Sequence, residues 1–315
     1  MRFAPLAAWI VLGIWAAPAV ADEAHDWLER LAQAERAQSY QGTFIYERNG
    51  SFSTHAIWRR VEGEGSHERL LQLDGMPQEV VRVDDQISCV TGSLADQLST
   101  GPLWPSRQLI AAQLQQSYEL RLVGKSRVAG RAAVVLALLP RDQHRYGIEL
   151  HVDMQSGLPL KSLLLSDKGQ LLERFQFTRL NTSMPATKSL QGGAGCQPLR
   201  PAVTQIETDP VWQSDWLPPG FALHASTQRR SPASDEAVAC LVYGDGLARF
   251  SVFLEPLRGA AAEDLRSQVG PTTAVSRRVQ TEQGDVMVTV VGEIPMGTAE
   301  RVALSMRALP AEEAP

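Results

Sequence analysis

Between Asp22 and Ser39 the apolar residues Trp27, Leu28, Leu31 and Ala34 fall on one side of a helical wheel, with Glu29, Arg30 and Glu35 spread over the rest. That spacing predicts a helix laid against a sheet. From Gly42 the period changes to two. The run GTFIYERNGSFSTHAIWRR is two strand-like segments around Asn49-Gly50, the favoured pair for a two-residue type I′ turn. HERLLQLDGMPQEVVRVDDQISCV predicts three short strands turning at Asp74-Gly75 and Asp84-Asp85. Residues 106–117, SRQLIAAQLQQS, break the alternation with good helix formers. Strands return at Tyr118 in a meander punctuated by Gly124, Gly130, Gly157 and Gly169. The pattern predicts roughly ten strands and two helices over 22–181.

Periodicity then lapses. Residues 182–211 are rich in Thr, Ser, Gly and Pro, including QGGAGCQPLRP, and read as a linker. A second domain, 212–315, opens with VWQSDWLPPGFALHAS, where two Trp, two Pro and a Gly fix the chain's entry against a core. AVACLVY and LARFSVFLEP flank Gly244-Asp245-Gly246 as a hairpin, VMVTVVGEIP adds a strand, and Thr298 is the expected N-cap of the helix AERVALSMR. The fold class is α+β, mostly β: a large sheet domain with helices, then a small antiparallel sheet with a helix.

Residues 1–21 change the compartment. Arg2, an apolar run from Leu6 to Trp15 and Ala19-Val20-Ala21 have the order of a cleavable signal peptide, so the mature chain is expected to start at Asp22 in the periplasm. The run is too short for a transmembrane helix, and no later run approaches that length, so an exported soluble protein is expected. A net charge of −5 and the absence of a basic tract argue against nucleic acid as a partner. Three cysteines in an oxidising compartment leave one over. Because Cys196 and Cys240 flank the start of the second domain, a Cys196–Cys240 bridge is expected, with Cys89 a small buried hydrophobe. Three unpaired thiols are the alternative.

Candidate chemistry is sparse. In RYGIELHVDMQSG, Glu149, His151 and Asp153 share one face of a strand, where they could ligate a metal or share a proton. They alternate with Tyr146, Ile148, Leu150 and Val152, however, and no other histidine has ligand spacing, so a solvated face explains all three. There is no GxSxG elbow, Walker A loop, GxGxxG or CxxC. No catalytic, cofactor or metal residue is assigned, and an enzyme is not expected.

The stretches YQGTFIYERNGSFSTHAIWRR, ERLLQLDG, EVVRV, GLPLKSLLL, WLPPGF and YGDGLARFSVFLE, in this order over both domains, resemble the RseB/MucB family of periplasmic sigma-factor regulators. The resemblance covers essentially the whole mature chain. It implies a protein that binds the periplasmic part of a membrane-anchored anti-sigma factor (MucA- or RseA-like) and shields it from the site-one protease, keeping an envelope-stress response off. It also implies that the large domain resembles the lipoprotein carriers LolA and LolB, a half-open β-barrel capped by helices, in which lipid or lipopolysaccharide binding relieves the inhibition. A homo-oligomer is compatible with it. Cavity candidates are Phe44, Trp58, Trp104, Leu163, Leu165, Phe175 and Phe177, large apolar side chains on or beside strands. Lysine is absent from the second domain, and arginine suits peptide carboxylates, so Arg229, Arg230, Arg249, Arg277 and Arg278, with Tyr243, are the partner-binding candidates. Two other readings are a lipid or lipoprotein carrier (or chaperone) of LolA type and a periplasmic hydrolase using Glu149, His151 and Asp153.

Overall fold

The computed structural model describes residues 19–76, 78–84, 86–91, 111–198, 210–231, 236–258, 263–281 and 284–309. The expected signal segment up to residue 18, the start of the second expected helix and Trp104 lie outside these residues. The first unit runs through α1 (Ala19–Ala37), β1 (Tyr40–Arg48), β2 (Ser51–Glu62), β3 (Gly65–Gln72), β4 (Glu79–Val83), β5 (Gln86–Val90) and α2 (Ala111–Ser117). It continues with β6 (Tyr118–Val128), β7 (Arg131–Pro140), β8 (Gly147–Asp153), β9 (Pro159–Leu165), β10 (Leu171–Asn181), a 3-10 turn (Thr187–Leu190) and β11 (Gln197–Pro198). The strands form one sheet in the order β11-β5-β4-β3-β2-β1-β10-β9-β8-β7-β6. Its ends do not meet, so the curved sheet is a half-open barrel.

Asn49 and Gly50 both adopt positive φ, 53° and 71°, as the type I′ turn between β1 and β2 requires. The buried side of α1, Ala24, Leu28, Leu31 and Ala34, serves two apolar clusters on the inner face of the sheet. Leu28 and Leu31 meet Val134, Leu136, Leu138, Ile148, Leu150 and Val152 from β7 and β8. Ala34 meets Tyr40, Phe44, Ile57, Leu160, Phe175 and Phe177. Arg30 Nη2 anchors the helix by donating to the carbonyls of Met154 and Gln155 at 3.0 and 2.9 Å. Gly157 is needed there: its φ is +80°, and a Cβ would press on Ala34 and Arg30 at 3.1 Å.

The stretch read as a linker is partly built into this sheet. The 3-10 turn buries Leu190, and Arg69 Nη1 donates to the Ser189 carbonyl at 3.2 Å while the Gly193 amide donates to Glu79 Oε2 at 2.9 Å. β11 pairs with β5, setting Pro198 opposite Cys89. The disulfide is therefore Cys89–Cys196, with Cα atoms 5.4 Å apart, and not the expected Cys196–Cys240. Cys240 is a free thiol buried in the other sheet, between Thr227 on one neighbouring strand and Phe253 on the other. Proximity along the chain suggested the wrong pair; the strand pairing decides it.

The second unit comprises β12 (Trp212–Ser214), β13 (Ala222–Arg230), β14 (Ala237–Gly244), β15 (Arg249–Pro256), β16 (Leu265–Val269), β17 (Thr272–Thr281), β18 (Gly284–Gly292), α3 (Met296–Leu304) and β19 (Met306–Ala308). Six strands form an antiparallel sheet in the order β13-β14-β15-β18-β17-β16, and β12 pairs with β19. Ala299, Val302 and Ala303 of α3 close its core over Phe250, Val252, Val275, Val288 and Val290. The helix begins at Met296, behind Pro295, so Thr298 does not cap it. Thr298 is buried instead, and its hydroxyl meets His144 Nδ1 of the first unit at 3.1 Å. Among the described residues no helix is long and apolar enough to cross a membrane.

Candidate functional site

Register separates the cavity candidates. Phe44 lies opposite Phe177 and His55, and Tyr46 opposite Phe175, so Phe44, Phe175 and Phe177 share the inner face. They are buried together, with Phe44 and Phe175 ring centroids 4.7 Å apart and Phe175 and Phe177 at 5.1 Å. His55 stacks on Phe44 at 5.1 Å, and burial pushes its pKa down. Trp58 is one residue beyond inward-facing Ile57 and so points to the outer face, where Arg69 lies 5.1 Å over its ring. That face is crossed by the segment pinned through Arg69 and Glu79. Leu163 and Leu165 alternate with buried Leu160, Ser162 and Leu164 and are half-buried on the outer face. The inner face thus collects three of the seven candidates.

The triplet Glu149, His151 and Asp153 is not a solvated face. His151 and Asp153 are buried, and β8 is covered on both faces. Asp153 accepts from Arg131 Nη2 at 2.8 Å and from the Ser156 amide at 2.8 Å, closing the turn after the strand. Burial pushes the Asp153 carboxyl up, but Arg131 and the Ser156 bonds together hold it below its usual range. His151 Nδ1 is 2.7 Å from Ser126 Oγ and its Nε2 2.8 Å from Glu149 Oε1. Burial lowers its pKa against the opposing pull of Glu149. Alternation showed which residues share a face; it could not show that neighbouring side chains cover that face. Among the described residues no group of three or more His, Cys, Asp or Glu is placed to hold a metal.

Of the partner candidates, Arg230, Arg249 and Arg278 are exposed and Arg229 is half-buried. Arg278 also pairs with Asp285. Tyr243 is in the core, its ring stacked on Phe250 at 5.3 Å, and burial raises its pKa to about 12. Arg277 is buried between Glu300, at 2.6 Å, and Asp264, at 3.6 Å. Both serve the unit's own packing. The edge strand β16 is exposed along its whole length.

The residues that join the two units were not legible in the sequence. Arg145 Nη1 donates to Asp245 Oδ2 at 2.5 Å, and both side chains are fully buried. Leu247, from the turn between β14 and β15, packs into the apolar cluster of the first unit beside Leu114 and Tyr118. Tyr146 donates to the Ile294 carbonyl at 3.2 Å, and the His144 ring meets Trp216 edge-on at 5.0 Å. Arg48 pairs with Glu173 at 3.4 Å in its own sheet and Glu293 at 3.3 Å in the other, and also donates to Thr272. The sequence signal was the GDG turn itself, read there as nothing more than a hairpin.

Comparison with known proteins identifies the class. Residues 23–194 match the MucB/RseB N-terminal domain and residues 207–307 the MucB/RseB C-terminal domain. The chain is 64% identical over 302 residues to the sigma factor AlgU regulatory protein MucB of Pseudomonas aeruginosa, covering 95% of this chain and 96% of that protein. It is 28% identical to the sigma-E factor regulatory protein RseB of Escherichia coli, covering 89% of each. The solved complex of P. aeruginosa MucA and MucB superposes with a TM-score of 0.83 at 62% identity, over 92% of this chain and all of that one. MucB crystallised alone gives 0.69 at 60% identity, over 91% and 98%. With both units matched from end to end, this chain belongs to the MucB/RseB family.

Proposed function

We propose that this protein is a periplasmic negative regulator of an envelope-stress sigma-factor response. It binds the periplasmic domain of a MucA- or RseA-like anti-sigma factor and shields it from site-one proteolysis; lipid or lipopolysaccharide relieves the inhibition. The observation that carries this reading is the 64% identity through both units to MucB, a protein solved in complex with the MucA periplasmic domain. In this reading the first unit, through β11 (Gln197–Pro198), senses lipid, and the unit from Trp212 onward contacts the anti-sigma factor, with exposed Arg230, Arg249 and Arg278 as its outward charges. The protein is a binder, not a catalyst. The inner face with Phe44, Phe175 and Phe177 also suits a LolA-type carrier, but a carrier has no use for a second unit keyed to the first through Arg145 and Asp245.

The deciding assay is cleavage of the purified anti-sigma periplasmic domain by its site-one protease, with and without this protein and with vesicles containing lipopolysaccharide. Protection that lipopolysaccharide removes is the expected result; cleavage at the same rate in every condition refutes the regulator. Export is tested separately. Intact mass of periplasmic material should begin at Asp22, whereas a retained Met1 segment refutes the signal peptide.

A further inference from the structure

After β10 the chain crosses the outer face of the large sheet as a strap, strand by strand. Arg60 of β2 holds its start, with Nη1 donating to Thr187 Oγ1 at 2.9 Å. Arg69 of β3 holds the 3-10 turn by the Ser189 carbonyl, and Leu190 is buried there. Glu79 of β4 accepts from the Gly193 amide, and Cys89 of β5 is bonded to Cys196. The two halves of this strap are held unequally. The first has the buried Leu190 and two arginines. In the second, from Gln191 to Pro198, every residue is exposed except Cys196, which is half-buried. Among the described residues only two backbone links join this half to the sheet: the Gly193 bond to Glu79, and a β11–β5 ladder that pairs Gln197 with Val90 and Pro198 with Cys89. Proline has no amide to give, so that short ladder is thinner still. The disulfide is what fixes the second half.

We propose that the Cys89–Cys196 bridge is a redox clasp, exchangeable in the folded protein, whose reduction frees residues 191–198 and leaves β5 as the open end strand of the large sheet. The reductant is a protein dithiol of the CxxC class. Its thiolate attacks Cys196 Sγ, the S–S bond breaks, and Cys89 leaves as a thiolate that takes up a proton. The second thiol of the reductant then attacks the mixed disulfide and releases Cys196, which is protonated in turn, so the two cysteines gain two electrons and the dithiol becomes a disulfide. Cys196 is the sulfur open to attack because it follows Gly192, Gly193, Ala194 and Gly195, all exposed. Gly192 covers the bridge with backbone alone: a Cβ there would stand 3.0 Å from Cys89 Sγ and 3.1 Å from Cys196 Sγ. Opening strands no charge. Glu79 keeps its ion pair with Arg69, and Arg69 keeps the Ser189 carbonyl, so the losses are one amide bond and the short ladder. Against them stands the conformational freedom that residues 191–198 regain. Departure of β11 bares the ladder groups of β5 at Cys89 and Val90. The clasp thus ties the edge of the first unit to the thiol–disulfide poise of its surroundings, and it requires neither anti-sigma factor nor lipid.

The test uses the full mature chain in native buffer, treated with thioredoxin kept reduced by its reductase and NADPH. Thiols are then alkylated and counted by mass, and amide hydrogen exchange is followed peptide by peptide. On folded protein two alkylations are expected, at Cys89 and Cys196, with buried Cys240 untouched. In the reduced form, peptides spanning 191–198 should exchange faster by about tenfold or more, while the 3-10 turn and α1 stay protected. Oxidised glutathione should restore both the bridge and the slow exchange. Cys89→Ser combined with Cys196→Ser should exchange fast at 191–198 from the outset, and thioredoxin should not change it. A bridge reduced only at urea concentrations that unfold the chain is a fixed staple and overturns the clasp. Reduced protein or the double variant with 191–198 still protected would show that Gly193 and the ladder hold the strap alone, which also overturns it. Exchange rising equally in α1 would make the bridge a support of the whole unit, and re-oxidation onto Cys240 would end the claim of reversibility; either outcome sinks the proposal.

Discussion

His55, His144 and His151 each have their pKa lowered, in every case by burial first, with a nearby carboxylate pulling the other way too weakly to restore it. In the unfolded chain they titrate near the ordinary value of about 6.5. A group whose pKa is lower when folded contributes stability that is complete above its unfolded value and is lost as pH falls toward its folded value. Unfolding stability should therefore decline as pH falls through about 6.5, and His151→Gln should flatten part of that slope. Urea titrations at a series of pH values check this; an unchanged slope in the variant rules out His151 as a contributor. The cysteines make a second residue-scale prediction. Cys89→Ser opens a loop of 107 residues and should cost about 2–4 kcal/mol. Cys240, buried and with its pKa raised by that burial, should react with thiol reagents only on unfolding. Non-reducing peptide mapping that joins Cys240 to either other cysteine would refute the pairing.

At the scale of elements, what the sequence revealed depended on whether local geometry was enough. The hairpin at Asn49-Gly50 was legible because positive φ at both turn residues is a local demand that Asn and Gly meet. The inward side of α1 was legible because Leu28, Leu31 and Ala34 recur at helical spacing. Thr298 was misread, since a threonine before a helical run is a good cap unless Pro295 starts the helix earlier. The β8 triplet was misread for a different reason: Arg131 and Ser126, which occupy its polar side, come from other strands. Because α1 holds the two clusters of the curved sheet together, Leu28→Ala should destabilise the protein by about 2–5 kcal/mol. Gly42→Ala should also destabilise it, because a Cβ there runs into the Arg179 carbonyl and the Phe177 ring. Denaturant midpoints within error of wild type for Leu28→Ala would mean that the helix is not a keystone of the sheet.

Over the whole molecule, the two units are joined by side chains buried as deeply as any core residue. In a double-mutant cycle, Arg145→Met should be costly because it strands Asp245, and adding Asp245→Asn should recover part of that loss. The expected coupling is on the order of 1–3 kcal/mol, measured by urea unfolding followed at Trp216. Additive costs would show that the pair does not link the units energetically.

The sequence by itself determined much of the succession of strands and helices, the presence of two units and the family, because each is written in local periodicity, turn chemistry or continuous matched stretches. Which cysteines meet, which face of the large sheet is covered and how the units engage were decided by the tertiary structure alone. Cys89 and Cys196 are 107 residues apart and Arg145 and Asp245 100 residues apart, and no local spacing marks either pair. The strand order carries β11 back beside β5, and the docking of the second sheet sets Asp245 against Arg145, so the physics of both contacts lies in long-range packing that a one-dimensional pattern does not encode.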